Sequence, residues 1–221
     1  MAPLPSFTEF SIKSCSMIVQ SAGHSAHSLK ELRDGVEAVP PQSLIYHFYG
    51  YLMRPRAEQL HHNDLAAWVS QSVGEQASAE RLDALNPSYF PSIEDLREAI
   101  LDVLDEPVTS GAFLGWAMAR SRFYFLMATT LVFQTGLSAK DPSELADKLS
   151  LCHPASAFYH FVDARLRTGC GDDFSLWLLS CGIPQEEVSG LMSIDPYLMS
   201  LQTLKDRIVE ELGLIGRRYR S

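Results

Sequence analysis

One tripeptide occurs twice, and it constrains the fold of this chain more than any other feature. Tyr46-His47-Phe48 returns as Tyr159-His160-Phe161, 113 positions later. At the same offset, Pro41 and Ser43 answer Pro154 and Ser156, and further back Gly23 answers Gly136 and Glu31 answers Glu144. Beyond the tripeptide the match resumes after a loop that is shorter in the second copy, where Asp64 and Trp68 correspond to Asp173 and Trp177. The chain therefore reads as a tandem duplication. Repeat 1 covers 7–106, a packed connector 107–122, repeat 2 123–213 and a basic tail 214–221.

Each copy opens on an apolar, partly β-branched run, Phe10–Gln20 and Phe123–Gln134, that reaches a glycine. Such a run fits a buried strand closed by a turn, although short apolar runs also fit a helix. A lone strand cannot satisfy its own backbone groups. The two runs are therefore expected to pair, or to pack side by side, in one interlocked pseudo-twofold domain. Ser28 and Asp141 are placed to cap the next helix, with Glu31 and Glu144 three residues on in the capping-box position. Pro41 and Pro154 suit the first turn of a second helix. Its buried face is Leu44, Ile45, Phe48, Tyr51 and Leu52, matched by Phe158, Phe161, Val162 and Leu166. Asn63-Asp64 and Asp172-Asp173 then provide a cap and an acidic first turn for a short helix carrying a tryptophan. Two more helices follow in each copy, the last opening at Ile93 and at Leu201 with amphipathic spacing. The fold class is mainly α: a duplicated helical repeat, each copy opened by a short strand-like segment.

Composition narrows the class. A chain of 221 residues with 46% hydrophobic content can fill a core. Its net charge of −9 argues against a broad nucleic-acid surface. Gly111–Phe133 resembles a membrane span, but Arg120 and Arg122 interrupt it at a cost of several kcal/mol in lipid. Cys15, Cys152, Cys170 and Cys181 form no Cys-x-x-Cys pair and are not matched between copies, so they read as free thiols in a reducing cytoplasm. The N-terminus lacks the pattern of a signal peptide.

Gly23-x-Ser-Ala with Glu31-Leu32, Tyr46-His47-Phe48, and Asn63-Asp64 with Trp68 together resemble a prokaryotic family, the one numbered five-seven-five-two among the domains of unknown function. The resemblance covers roughly the whole chain. It implies no assigned activity, cofactor or catalytic residue.

His47 and His160 are the histidines shared by both copies, and so the natural candidates for a metal pair or acid–base groups. Neither carries the Glu-x-x-His signature of a di-metal bundle. Buried structural histidines, each bonded inside its own repeat, are the preferred reading. Asp64 and Asp173 are explained by the helix dipole, with a salt bridge to Arg54 or Arg165. His24-x-x-His27, with His61-His62, is a weaker metal candidate, because Leu137 and Lys140 replace the first pair in the second copy. Trp68 and Trp177, spaced with Leu65 and Phe174, read as core. No P-loop, dinucleotide fingerprint, Gly-x-Ser-x-Gly or His-Glu-x-x-His occurs. The leading expectation is a non-catalytic cytoplasmic binding or regulatory protein whose partner is a protein or a small molecule. The alternative is an enzyme or metalloprotein with a site at the interface of the two repeats. The sequence specifies no cofactor.

Overall fold

The computed structural model describes residues 7–54, 60–109 and 118–219. Both strand-like runs are strands, β1 (Phe10–Ala26) and β2 (Phe123–Ala139), and they pair in a two-stranded sheet. Neither strand stops at its glycine. Gly23 and Gly136 lie inside the strands with φ of 81° and 77°. That left-handed conformation is open to glycine at little cost, so the chain kinks there and the strand resumes.

Helices fill most of the remainder. After β1 come α1 (Leu29–Ala38), α2 (Pro41–Tyr49), α3 (Asp64–Trp68), α4 (Gln76–Asp83) and α5 (Ile93–Thr109). After β2 come α6 (Pro142–Leu151), α7 (Ala155–Ala157), α8 (Ala164–Thr168), α9 (Asp173–Ser180), α10 (Gln185–Met192) and α11 (Leu201–Arg218). Among the described residues no helix is long and apolar enough to cross a membrane.

The N-caps form where the sequence places them. Ser28 accepts from Glu31 N–H, Asp141 from Glu144 N–H, Asn63 from Ala66 N–H and Asp172 from Ser175 N–H. The reciprocal half of the capping box is displaced by one residue. Glu31 takes the N–H of His27 (2.7 Å) and Glu144 that of Lys140 (2.6 Å), each the residue before the cap. Two expectations about helix length do not hold. The residues read as a basic tail continue α11 to Arg218, because Ile208, Leu212 and Ile215 prolong its buried stripe. The second helix of the later copy is not one α-helix: α7 widens into a π-helix at Phe158–Asp163 before α8 resumes. Leu166, expected on its buried face, is exposed. Part of the connector lies outside the described residues; its end is anchored by Ala119 N–H on the His27 carbonyl and Arg120 N–H on the Ser72 carbonyl.

The chain divides into two compact units. The first is Met17–Thr129; the second is Met1–Ser16 together with Thr130–Ser221. Both cuts fall within the strands, so each unit holds part of β1 and part of β2. In the first unit α1 packs on α5, and Phe125 presses against Gly35 so closely that a Cβ there would lie 2.3 Å from its ring. In the second unit α6 packs on α11, and buried Lys205 of α11 donates to the carbonyls of Ser150 and Cys152, holding the end of α6.

Candidate functional site

Each unit contains one of the two shared histidines, and each histidine sits in the same kind of network. In the first unit, α2 carries His47 into the core, where it is 2% exposed. Its Nδ1 lies 2.8 Å from Asp64 Oδ2 at the start of α3. Arg54 Nη2 donates to both oxygens of that carboxylate, at 2.9 and 3.0 Å. On the opposite edge of the ring, Nε2 accepts the backbone N–H of Leu126 in β2, at 3.0 Å. Ser43, one helical turn before His47, donates to the carbonyl of that same Leu126 at 2.8 Å.

In the second unit the π-helix carries His160, 3% exposed. Its Nδ1 lies 2.8 Å from Asp173 Oδ2, Arg167 Nη2 donates to that oxygen at 2.6 Å, and Nε2 accepts the N–H of Lys13 in β1 at 2.8 Å. Aromatic rings wall both sites: Phe123 stands 4.8 Å from the His47 ring and Phe10 5.0 Å from the His160 ring. The tryptophans close the same ends of the strands. Trp68 donates its indole N–H to Ser121 and Trp177 donates to Thr8, both at 2.9 Å to a carbonyl.

These contacts fix the protonation of the rings. A backbone amide only donates, so each Nε2 is an unprotonated acceptor and Nδ1 carries the hydrogen that faces the aspartate. The imidazoles are neutral. For His160, burial pushes the pKa down; Asp173 opposes this, while the charges of Arg167 and Lys13 add to it, and the result lies below the ordinary histidine value. Burial by itself would raise the Asp64 carboxyl. Hydrogen bonds from His47 and Arg54, together with the charge of Arg54, outweigh it and hold the group below the usual carboxylate range.

The structure corrects two sequence expectations at this site. The arginine on Asp173 is Arg167, not Arg165. Arg165 instead donates to Asp172 and to the carbonyls of Met192 and Ile194, and stacks on Phe161. The offset of 113 that links the histidines also links Arg54 to Arg167, so the pairing was readable from that offset. Nor are the histidines bonded solely within their own repeats. Only Nδ1 is; each Nε2 takes an amide from the strand of the other repeat. The physical reason is that the outer edge of a two-stranded sheet leaves amides unpaired, and a buried amide must find an acceptor.

The weaker histidines go elsewhere. His62 bonds Asp83 through its backbone N–H and through Nδ1, and His61 Nδ1 lies 3.7 Å from the same carboxylate. His24 is exposed and His27 half-buried at the end of β1. Among the described residues, no group of three His, Cys, Asp or Glu side chains is arranged to hold a metal ion. All four cysteines are free thiols.

As chemistry, an arginine–aspartate–histidine chain orients an imidazole and stabilises its charge. A general base also needs its far nitrogen to face a proton on substrate. Here that nitrogen faces a backbone amide instead, so the network works as a clamp between helix and strand.

Among curated proteins none matches the chain. Among solved structures the chain is similar to OrfY from Thermoproteus tenax, with 27% identity and a TM-score of 0.79, over 94% of this chain and 95% of that one. Residues 7–213 match the family of unknown function DUF5752, and the chain belongs to that family.

Proposed function

We propose that this is a non-catalytic binding or regulatory protein of the prokaryotic cytoplasm, built by tandem duplication, in which His47 and His160 serve the fold. The observation that supports the reading is the commitment of both nitrogens of each ring. Nδ1 gives its hydrogen to an aspartate and Nε2 receives a backbone amide, at 2.8–3.0 Å throughout. The two shared histidines are thereby held inside the fold, which supports recognition over catalysis. The duplication is supported by two strands of 17 residues each that begin 113 positions apart, and by one set of partners around each histidine.

Two measurements test this. Nitrogen-15 spectra of the imidazoles at neutral pH should show the Nδ1–H tautomer for His47 and His160. The melting temperature of the protein should be the same with and without a chelator. A chelator-dependent fall in melting temperature, with bound metal in the purified protein, overturns the reading in favour of a metalloprotein.

A further inference from the structure

Ser43 and Ser156 stand at matching places, each four residues before a clamp histidine. Ser43 donates to the Leu126 carbonyl. Ser156 is fully buried and its hydroxyl has no hydrogen-bond partner. Hydrogen bonding from Ser156 would favour the thiolate of Cys152, an effect that burial outweighs, but towards the neutral thiol the hydroxyl meets no hydrogen-bond geometry. A buried hydroxyl left unmade costs on the order of 1–3 kcal/mol, so it requires an explanation.

The explanation lies beside it. Ser156 lines a cavity of about 420 Å³ in the second unit. Phe133, Leu137 and Leu151 give the cavity apolar walls, and Leu151 is 83% exposed at its edge. Several polar groups around it already have partners. The Cys15 thiol donates to Ala155, the Cys152 thiol to Lys148, the Thr135 hydroxyl to Ile12 and the Ala155 amide to His153 Nδ1. No lysine, arginine or carboxylate lines the cavity. Burial, helped by the Asp163 charge, raises the Cys15 thiol to about 12, and burial also raises Cys152, so neither sulfur brings a negative charge. Without a lysine, arginine or carboxylate, and with His153 Nδ1 already accepting the Ala155 amide, the lining favours a neutral ligand over a charged one. A neutral one finds apolar walls and a waiting hydroxyl, the usual composition of a small-molecule site.

We propose that this cavity binds a small neutral molecule with an apolar body and one carbonyl or hydroxyl oxygen, which pairs with the Ser156 hydroxyl. The proposal rests on the binding reading above and gives it a ligand class.

The test uses the full chain and two probes of one shape: cyclohexanone, which has the oxygen, and methylenecyclohexane, which lacks it. Titration followed by amide NMR should move Cys15, Cys152 and Ser156 saturably with cyclohexanone. Ser156→Ala should weaken cyclohexanone about fivefold, the effect of one neutral hydrogen bond, and leave methylenecyclohexane unchanged. Leu151→Asp, at an exposed position, keeps the test decisive should Ser156→Ala fail to fold; it should weaken both probes. The proposal is overturned if neither probe saturates, if the shifts map elsewhere, if Ser156→Ala changes both probes equally or neither, or if Leu151→Asp changes nothing. Such a failure removes this cavity alone. The non-catalytic reading fails separately, on the tautomer and chelator measurements.

Discussion

The two units solve the same problem with the same parts and differ in how completely they solve it. Each buries a neutral histidine between an aspartate held by an arginine and an amide on a strand edge. In the first unit, α2 is regular through His47, and Ser43 satisfies the carbonyl of the residue whose amide His47 accepts, so both backbone groups of Leu126 are paired. In the second, the helix widens at Phe158, between Ser156 and His160. A π-turn rotates the residues before it relative to those after it, and π-turns recur at functional sites. His160 keeps its clamp, Ser156 has no partner, and a cavity opens there. The lesson is that the two units keep alike the contacts that hold a strand and differ in one next to them.

The largest expected effects test the clamp. His47→Ala and His160→Ala should each cost about 2–4 kcal/mol, since each leaves a cavity, an unpaired strand amide and a carboxylate that has lost a partner. The networks share no residue, so the double variant should cost close to the sum in denaturant melts. A large departure from additivity would mean that the two histidines act on a common group. Next is Gly35→Ala. The new methyl would meet the Phe125 ring at 2.3 Å, and overpacking of that kind costs about 1–3 kcal/mol. The corresponding position in the second unit is Lys148, whose ammonium bonds Glu144 and the Ser138 carbonyl. Lys148→Ala should therefore cost less than Gly35→Ala.

Gly23→Ala and Gly136→Ala sharpen the comparison from the other side. Neither glycine has any atom within 4 Å of a would-be Cβ, so the cost is the positive φ alone, about 1–2 kcal/mol and alike at both sites. A marked inequality between the two would show that the kinks are not equivalent.

Much of this architecture was legible in the residues. Capping follows from Ser28, Asp141, Asn63 and Asp172 because a cap is a local bond, formed within three residues. The offset of 113 located both histidines and, read strictly, Arg167. What could not be read was non-local. Nothing near His47 in the chain announces that its partner is the amide of Leu126, since a strand amide looks the same in any sequence. Ser43 and Ser156 keep the same spacing from a preceding proline and from the tripeptide, yet their partners differ because the π-turn at Phe158 has no simple residue code. Arg217 and Arg218 read as a tail in the sequence alone, although Ile215 carries the buried stripe of α11 onward and basic residues suit the last turn of a helix.

Acid acts on His160 and on Asp64 in different pH windows. The folded-state pKa of His160 lies below its unfolded value of 6.5. As pH falls below that value the unfolded chain takes a proton that the folded chain refuses, so stability declines until the folded pKa is reached. Asp64 is also lowered, from 3.8, so its contribution is present above that value and is lost as pH falls through the folded pKa. Stability plotted against pH should thus bend twice. His160→Asn should flatten the upper bend and Asp64→Asn the lower one; if either variant flattens the other's bend, the assignment of windows is wrong.

The smallest effect bears most directly on the difference between the units. Ser43→Ala removes a bond to a partly buried carbonyl whose neighbouring amide remains clamped, and should cost about 1 kcal/mol. Ser156→Ala removes a hydroxyl that has no partner in the protein, and a methyl suits apolar walls better than an unpaired oxygen. It should therefore be neutral or slightly stabilising in the absence of ligand, by up to about 1 kcal/mol. Parallel urea melts of the two variants measure the contrast. If Ser156→Ala is as costly as Ser43→Ala, the hydroxyl already has a partner of equal worth, and the two units are alike at this position. If Ser156→Ala stabilises the free protein and abolishes the gain in stability that cyclohexanone gives the parent, one atom will have been shown to trade fold stability for binding.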